Sequence, residues 1–512
     1  MRLGTCAALV ASLVTALTAA CDGPAVLVTI EGRPTVHAIA RLDVSVRDPF
    51  GDARSQPYEL GGDDHLPLTL RIAVDGREGP IAIDIDAVDR DGTPTASGST
   101  SARLPAPDGP DVTTATVLLE PTDFVVNAAG AGRQLVPSMP WRTSQPIAVA
   151  ADGAVMVTFD SNSAIATRRF DATATLLDGD ERLDDGLRGV PVPSVAAAGR
   201  RYLVAWDRDA YGGPDPAAIA LALYDDHGVA VGATPLVEPD GKSRWHPALT
   251  ATGDGWVVAY QVPARFNDSS QGEIRATAIA VDGTRGAEVV LVPETTGHLA
   301  PTVAGRDDGF LLAWLEAEPS GGGSPFLSAR AFDPDGVSAQ AAYVFPIAGA
   351  APRACRATAT SDGYALVWHD RQPSQGFDDE ILKLVRFSAR GELLGDYVEV
   401  ARLRRFLGDR DGPAAIAARA GDGAIAVVWA DTGEGRGDTD IFLRLLRPDG
   451  VPCGPPAQVN TTVVATQSQP AVAAFGDDAF AVTWTDESGA APDRSDSAVR
   501  ARIVYAGLDD CY

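Results

Sequence analysis

The chain has 512 residues, too many for one ordinary hydrophobic core, so it is expected to divide into domains or to repeat. Its 42 basic residues against 69 acidic ones leave a formal net charge of -27, which excludes the clustered basic surface that nucleic acid requires. The acids are dispersed along the chain rather than massed in a tail, as on a solvated surface.

The first element is MRLGTCAALVASLVTALTAAC, with one basic residue, Arg2, and an apolar run from about Leu3 to Ala20. The run is too short and too rich in small residues for a membrane span and closes in a cleavage-like cluster. That cluster, Thr18-Ala19-Ala20-Cys21, resembles the lipobox of bacterial lipoproteins, with Leu17 four residues before the cysteine rather than three. The resemblance implies removal of residues 1–20 and lipid attachment at Cys21. The alternative is an ordinary secretory signal cut nearby; either way the mature protein leaves the cytoplasm.

Residues 21–122 alternate apolar and polar side chains between turn-forming clusters. VLVTI (26–30), AIARLDVSV (38–46), LPLTLRIAV (66–74), AIDIDAVD (82–89), TASGSTSARL (95–104) and TTATVLLE (113–120) are expected strands. Their number and spacing predict a β-sandwich, immunoglobulin-like or transthyretin-like. The carboxylates of DIDAVDRDG (84–92) invite a cation, but alternation puts Asp84 and Asp86 on the face opposite Ile83 and Ile85. A solvated face followed by a turn is the expected outcome.

From Asp123 onward a unit repeats. The aromatics that close its apolar strand are Phe159, Trp206, Tyr260, Trp314, Trp368, Trp429 and Trp484, spaced 47, 54, 54, 54, 61 and 55 residues apart. Four copies place a proline thirteen residues earlier, at Pro146, Pro193, Pro247 and Pro301; the fifth has Cys355 there. Each copy reads as a small-residue strand, a turn, an apolar strand ending in the aromatic, a long polar loop, a third strand, a tight turn and a fourth strand. Four strands in each of seven copies predict an all-β protein ending in a seven-bladed β-propeller over 123–512. The last copy stops after its third strand, and DFVVN (123–127) matches the AQVN (457–460) of the sixth. Residues 123–127 are therefore expected to close the ring as the outer strand of blade seven. With its clearest stretch at VNTTVVATQSQPAVAAFGDDAFAVTW (459–484), this region resembles the repeat arrays of secreted and lipid-anchored bacterial proteins. The resemblance implies a propeller at the cell surface or in the periplasm and says little of activity.

Chemistry is harder to find. The sialidase Asp-box pattern fails, because Asp362-Gly363 stand a whole strand before Trp368, and Asp333-Pro334-Asp335-Gly336 is too short for an integrin-type calcium loop. Asp160, Asp207, Asp370, Asp431 and Asp486 follow the aromatics and open loops that carry further acids, among them Asp378, Asp379, Glu380, Asp438, Asp440, Asp493 and Asp496. Calcium is the cofactor such loops would take; capping of strand ends is the reading preferred, with no cofactor expected. Arg244, Trp245 and His246 precede Pro247 and form a possible ligand face at the axial mouth. His298 and His369 stand isolated in sequence, and no triad, phosphate loop or convergent metal set is recognised. Cys355, Cys453 and Cys511 remain after the leader, and an exported location permits one bridge, with Cys453–Cys511 the favoured pair.

An enzyme should bring polar residues to the axis from several blades, whereas the first strands offer mostly Pro, Ala, Val and Ser. The expectation is a non-catalytic, monomeric envelope lipoprotein, not an enzyme, whose loop face binds a protein or glycan partner and whose sandwich acts as a spacer. The alternatives are a propeller hydrolase or lyase acting on extracellular polysaccharide, and a purely structural envelope component.

Overall fold

The computed structural model describes residues 25–48, 53–61, 64–73, 79–104, 112–127, 133–136, 144–184, 192–208, 218–235, 242–253, 255–265, 268–296, 298–316, 326–338, 340–346, 355–372, 379–403, 412–432, 438–490 and 496–511. Residues 1–24, with Cys6 and Cys21, and Asp378 and Asp493 of the acidic loops lie outside them. The chain divides into two compact units, Met1–Phe124 and Val125–Tyr512. Among the described residues every element is a strand except one 3-10 turn, Leu508–Cys511. Among these described residues no helix is long and apolar enough to cross a membrane.

The first unit holds β1 (Ala25–Gly32), β2 (Arg41–Arg47), β3 (Ala53–Glu59), β4 (Leu68–Ala73), β5 (Pro80–Val88), β6 (Pro94–Arg103) and β7 (Val112–Pro121). They hydrogen-bond in the order β3-β2-β5-β6-β7-β1-β4, with β1 and β7 parallel and the other pairs antiparallel. Val26, Val28 and Ile30 of β1 meet Val44, Ile83, Ile85, Leu70 and Val117 in one apolar core. The period-2 pattern explains this, since each strand turns alternate side chains inward. β3 (ARSQPYE) escaped the sequence reading because it lies at the sheet edge, where Pro57 and exposed polar side chains are tolerated.

In β5 the alternation holds through Ile83 and Ile85, both fully buried, with Asp84 and Asp86 outward; Val88, on the Asp face, is also buried. Asp86 lies directly across from Asp43, and burial followed by the charges of Asp43 and Asp84 raises its carboxyl above the usual range. A carboxyl raised in the fold favours the protonated folded form, so its ionisation weakens stability as pH rises through the folded value. Asp86→Asn is therefore expected to raise the melting temperature at pH 7, with the gain shrinking as pH falls through the folded value and gone below the unfolded carboxylate range. Melting curves at several pH values measure it; a loss at pH 7 would contradict the reading.

The second unit is a seven-bladed propeller. Six blades each form a four-stranded antiparallel sheet from consecutive segments; blade five, for example, comprises Arg356–Thr360, Gly363–Gln372, Asp379–Ser388 and Val398–Leu403. Blade one carries an extra short strand, Gln134–Leu135, against the end of its second strand. Blade seven takes Gln467–Phe475, Ala479–Asp486 and Ala498–Tyr505 from the end of the chain and Phe124–Val125 as its fourth strand. The shared words DFVVN and AQVN correspond to one device used twice. The Asn127 side-chain oxygen accepts from the Val499 N–H at 2.7 Å, as Asn460 accepts from Ile441 at 2.8 Å. In both cases the preceding valine, Val126 or Val459, donates its N–H to that same residue's carbonyl at 2.7 Å.

The repeated aromatics are the glue between blades. Trp206, Trp314, Trp368, Trp429 and Trp484 are at most 3 % exposed, and each packs toward the preceding blade. A single blade is apolar on both faces and cannot fold alone, which accounts for the repetition. The DDHG, VDG, DPDG, SARG and RPDG turns each place their glycine, from Gly228 to Gly450, at φ between 72° and 88°. There Asp225 and Asp333 accept backbone N–H groups of the turn, so these acids serve the hairpin. One expected polar loop is instead structured: in blade three the second and third strands run on to Arg265 and Asp268, which face each other across the hairpin.

Candidate functional site

All seven first strands surround the propeller axis, where crowding admits small side chains. They leave a cavity of about 320 Å³ lined by Ala, Val, Ser and Thr from every blade. The entry end is tied around by polar contacts between neighbouring blades. Ser194 Oγ donates to the Pro247 carbonyl at 3.2 Å, Ser144 Oγ donates to the Pro193 carbonyl, and Gln145 Nε2 reaches the Val472 carbonyl of blade seven at 3.0 Å. The repeated proline therefore presents its carbonyl to the preceding blade's serine.

One charged side chain lines this cavity among the described residues: Arg356 of blade five. It is 5 % exposed, and among the described residues Nη1 donates to the Cys355 carbonyl at 3.2 Å. Burial lowers its guanidinium from the ordinary value to about 10. Its neighbour Cys355 is a buried free thiol pushed up to about 12 by burial, which keeps it protonated and unreactive.

The sheet register gives Arg356 company. It lies opposite Val367, His369 lies opposite Leu382, and Arg371 opposite Glu380, so Arg356, His369 and Glu380 share the face of blade five that meets blade six. His369 and Glu380 are each 3 % exposed. His369 Nδ1 lies 2.8 Å from Glu380 Oε1, off the line of an ideal hydrogen bond, and Nε2 accepts the Ala414 N–H of blade six at 2.9 Å. That acceptor role at Nε2 directs a ring proton to Nδ1, toward the carboxylate. Asp370 and Lys383 pair on the opposite face, so Asp370 and Glu380 are not partners.

The recurring acids are occupied by protein groups. Asp486 takes Arg500 at 2.5 Å, Gln467 at 2.6 Å and both the N–H and hydroxyl of Ser488, while Trp484 donates to Gln467 at 2.8 Å. Asp160 accepts the Ser163 N–H at 2.8 Å, Asp207 the His246 N–H at 2.9 Å and Asp431 the Thr432 N–H at 2.7 Å. Asp440 is held by Asn460 at 2.8 Å. Among the described residues no three His, Cys, Asp or Glu side chains converge as a metal site.

Arg244, Trp245 and His246 are 2, 5 and 5 % exposed. Arg244 reaches Glu288 at 3.3 Å, which also accepts from Tyr260 at 2.6 Å and is held by Arg275. His246 sits at φ 55°, inside a register shift between Trp245 and Ala248 that re-aims the strand entry. Cys453 and Cys511 form a disulfide.

The sequence reading missed Arg356, His369 and Glu380 as a group. A signal for Arg356 existed: the fifth copy replaces the repeated proline with Cys355, and the next position, Ser194, Ala248 or Thr302 in three other copies, becomes arginine.

No protein-family profile and no curated protein sequence matches the chain. Among solved structures it is similar to a protein of unknown function from Dyadobacter fermentans at 12 % identity, covering 76 % of this chain and 99 % of that one, with a TM-score of 0.43. It is also similar to the α-L-arabinanase of Penicillium chrysogenum at 17 % identity, 65 % and 100 % coverage and a TM-score of 0.40. The α-L-arabinofuranosidase of Fusarium graminearum matches at 12 % identity, 61 % and 90 % coverage and a TM-score of 0.39. These likenesses are of fold. They nevertheless correct the expectation of a non-catalytic binding protein, and with it that of no enzyme. Two of those neighbours are named as an arabinanase and an arabinofuranosidase.

Proposed function

We propose that the chain is a propeller-type hydrolase acting on extracellular polysaccharide, with its site at the loop end of blade five. One observation carries the reading: Arg356, His369 and Glu380 form a row of buried ionisable side chains across three adjacent strands, ending at the axial cavity. Burying such groups costs free energy unless they are paired or used, and clusters of them in a cleft mark reaction sites. Glycoside hydrolysis needs a group that protonates the leaving oxygen and a group that activates water. His369 and Glu380, 2.8 Å apart, can hold and pass one proton between them. Release of reducing ends from a panel of arabinan, xylan, pectin and glucuronoxylan tests the activity. Products bearing a new ultraviolet-absorbing double bond would assign a lyase instead, and no cleavage of any polymer would end the reading.

Export supports an extracellular substrate. The Cys453–Cys511 disulfide belongs to an oxidising compartment, and a leader of residues 1–20 would supply the route out and Cys21 the lipid anchor. The first unit, read as an immunoglobulin-like or transthyretin-like sandwich, would hold the propeller away from the membrane. Cys21→Ser is expected to move the protein from the membrane fraction to the soluble one; unchanged fractionation would refute the anchor.

A further inference from the structure

Arg356 is a buried cation without a carboxylate partner among the described residues, set in the wall of a cavity. A guanidinium removed from water and left uncompensated is costly, and ordinary proteins supply an acid or avoid the charge. Six other blades avoid it here, lining the same cavity with uncharged residues. The fifth departs from its own repeat to place the arginine.

We propose that the axial cavity binds the carboxylate of a sugar acid, with Arg356 as its counter-ion. One guanidinium fork matches one carboxylate in two parallel hydrogen bonds. A doubly charged phosphate would call for more positive charge than a single arginine supplies inside a chain of net charge -27. The rest of the polar lining is hydroxyl and amide, from Ser144, Gln145, Ser194, Thr250, Thr302 and Thr358, between alanines. Such a wall suits the hydroxyls and ring of a sugar, and about 320 Å³ is at the small end of ligand pockets. Burial lowers the guanidinium value to about 10, which still leaves the side chain charged at pH 7.

The proposal names a substrate class for the hydrolase reading, but its test needs no turnover. Calorimetry and melting shifts are measured with galacturonate and glucuronate, and with galactose, glucose, acetate and inorganic phosphate as controls. The uronates are expected to bind and raise the melting temperature, and the neutral sugars to do neither. Arg356→Met is expected to weaken uronate binding at least tenfold while leaving the unliganded protein as stable as before or more so, because an uncompensated buried charge is gone. Arg356→Lys, which keeps charge but loses the fork, is expected to fall between and serves if the methionine variant does not fold. Equal response to galactose and galacturonate, equal binding of phosphate or of acetate alone, or unchanged uronate affinity in the variants would each overturn the proposal. Uronate binding without cleavage of any polymer would refute the hydrolase and leave this site standing; cleavage of neutral polymers without uronate binding would do the reverse.

Discussion

Glu380→Gln is expected to lower turnover of the cleaved polysaccharide at least a hundredfold while leaving the melting temperature nearly unchanged. The argument runs from geometry. Glu380 Oε1 lies 2.8 Å from His369 Nδ1, and the Ala414 N–H fixes the other ring nitrogen as an acceptor. Glutamine keeps the size of the side chain and an oxygen acceptor toward Nδ1, so packing between blades five and six is preserved. It removes the group that can take or give a proton, and positioned acid–base groups contribute about 10²- to 10⁴-fold. His369→Gln should act in the same direction and add little to the Glu380 variant, because a couple that works as a unit is not additive. A purely structural pair behaves differently: its loss changes stability alone, and the rate per folded molecule does not fall. Turnover normalised to folded protein, with melting curves on the same samples, separates the two. A large fall in melting temperature with normal turnover would remove Glu380 from the site.

What could be read in the sequence was what repeats. Seven aromatics at near-constant spacing require seven equivalent environments, and the structure places each on the second strand of its blade. Ring closure was legible for the same reason, since Asn127 and Asn460 are the same word in the same role. The candidate site was not legible, because reading by repetition treats an exception as noise. Arg356 differs from its six counterparts at one position, and nothing in one dimension says that this position lies in the wall of the axial cavity. Glu380 and His369 are eleven residues apart across a loop of irregular length, so only the register of the ladder reveals that they share a face while Asp370 takes the other. Arg244, Trp245 and His246 are the reverse case. Their chemistry suggested a mouth, but a shift in register and a positive φ at His246 direct the three side chains into protein. A local backbone irregularity of that kind reverses the side-chain face that alternation assigns.

Removal of the Cys453–Cys511 disulfide is expected to cost the propeller about 4 kcal/mol. The bridge spans 58 residues, and constraining a loop of that length in the unfolded chain stabilises the fold by roughly that amount in the chain-entropy account. Its placement adds to the expectation. Cys453 belongs to the outer strand of blade six, and Cys511 ends the 3-10 turn that follows the third strand of blade seven. Both sulfurs lie in the apolar cluster between those blades, with Trp484, Phe480 and Val459. Blade seven is also the blade completed from the other end of the unit, through Phe124–Val125 and the Asn127 contact to Val499. The ring is therefore fastened beside its seam by a covalent link and at its seam by hydrogen bonds. Asn127→Ala removes the acceptor for a buried N–H and is expected to cost about 1–3 kcal/mol. Because both fastenings oppose the same opening, losing either lets blade seven separate more readily, and the combined loss should exceed the sum of the two by a measurable coupling. Denaturant titrations of the oxidised protein, the Cys453→Ser, Cys511→Ser variant and both in the Asn127→Ala background give all four corners of the cycle. Added reductant should move the first to the second and leave the serine variant where it is. If reduction leaves the oxidised protein's transition unmoved, the bridge contributes nothing, and the closure rests on strand pairing alone.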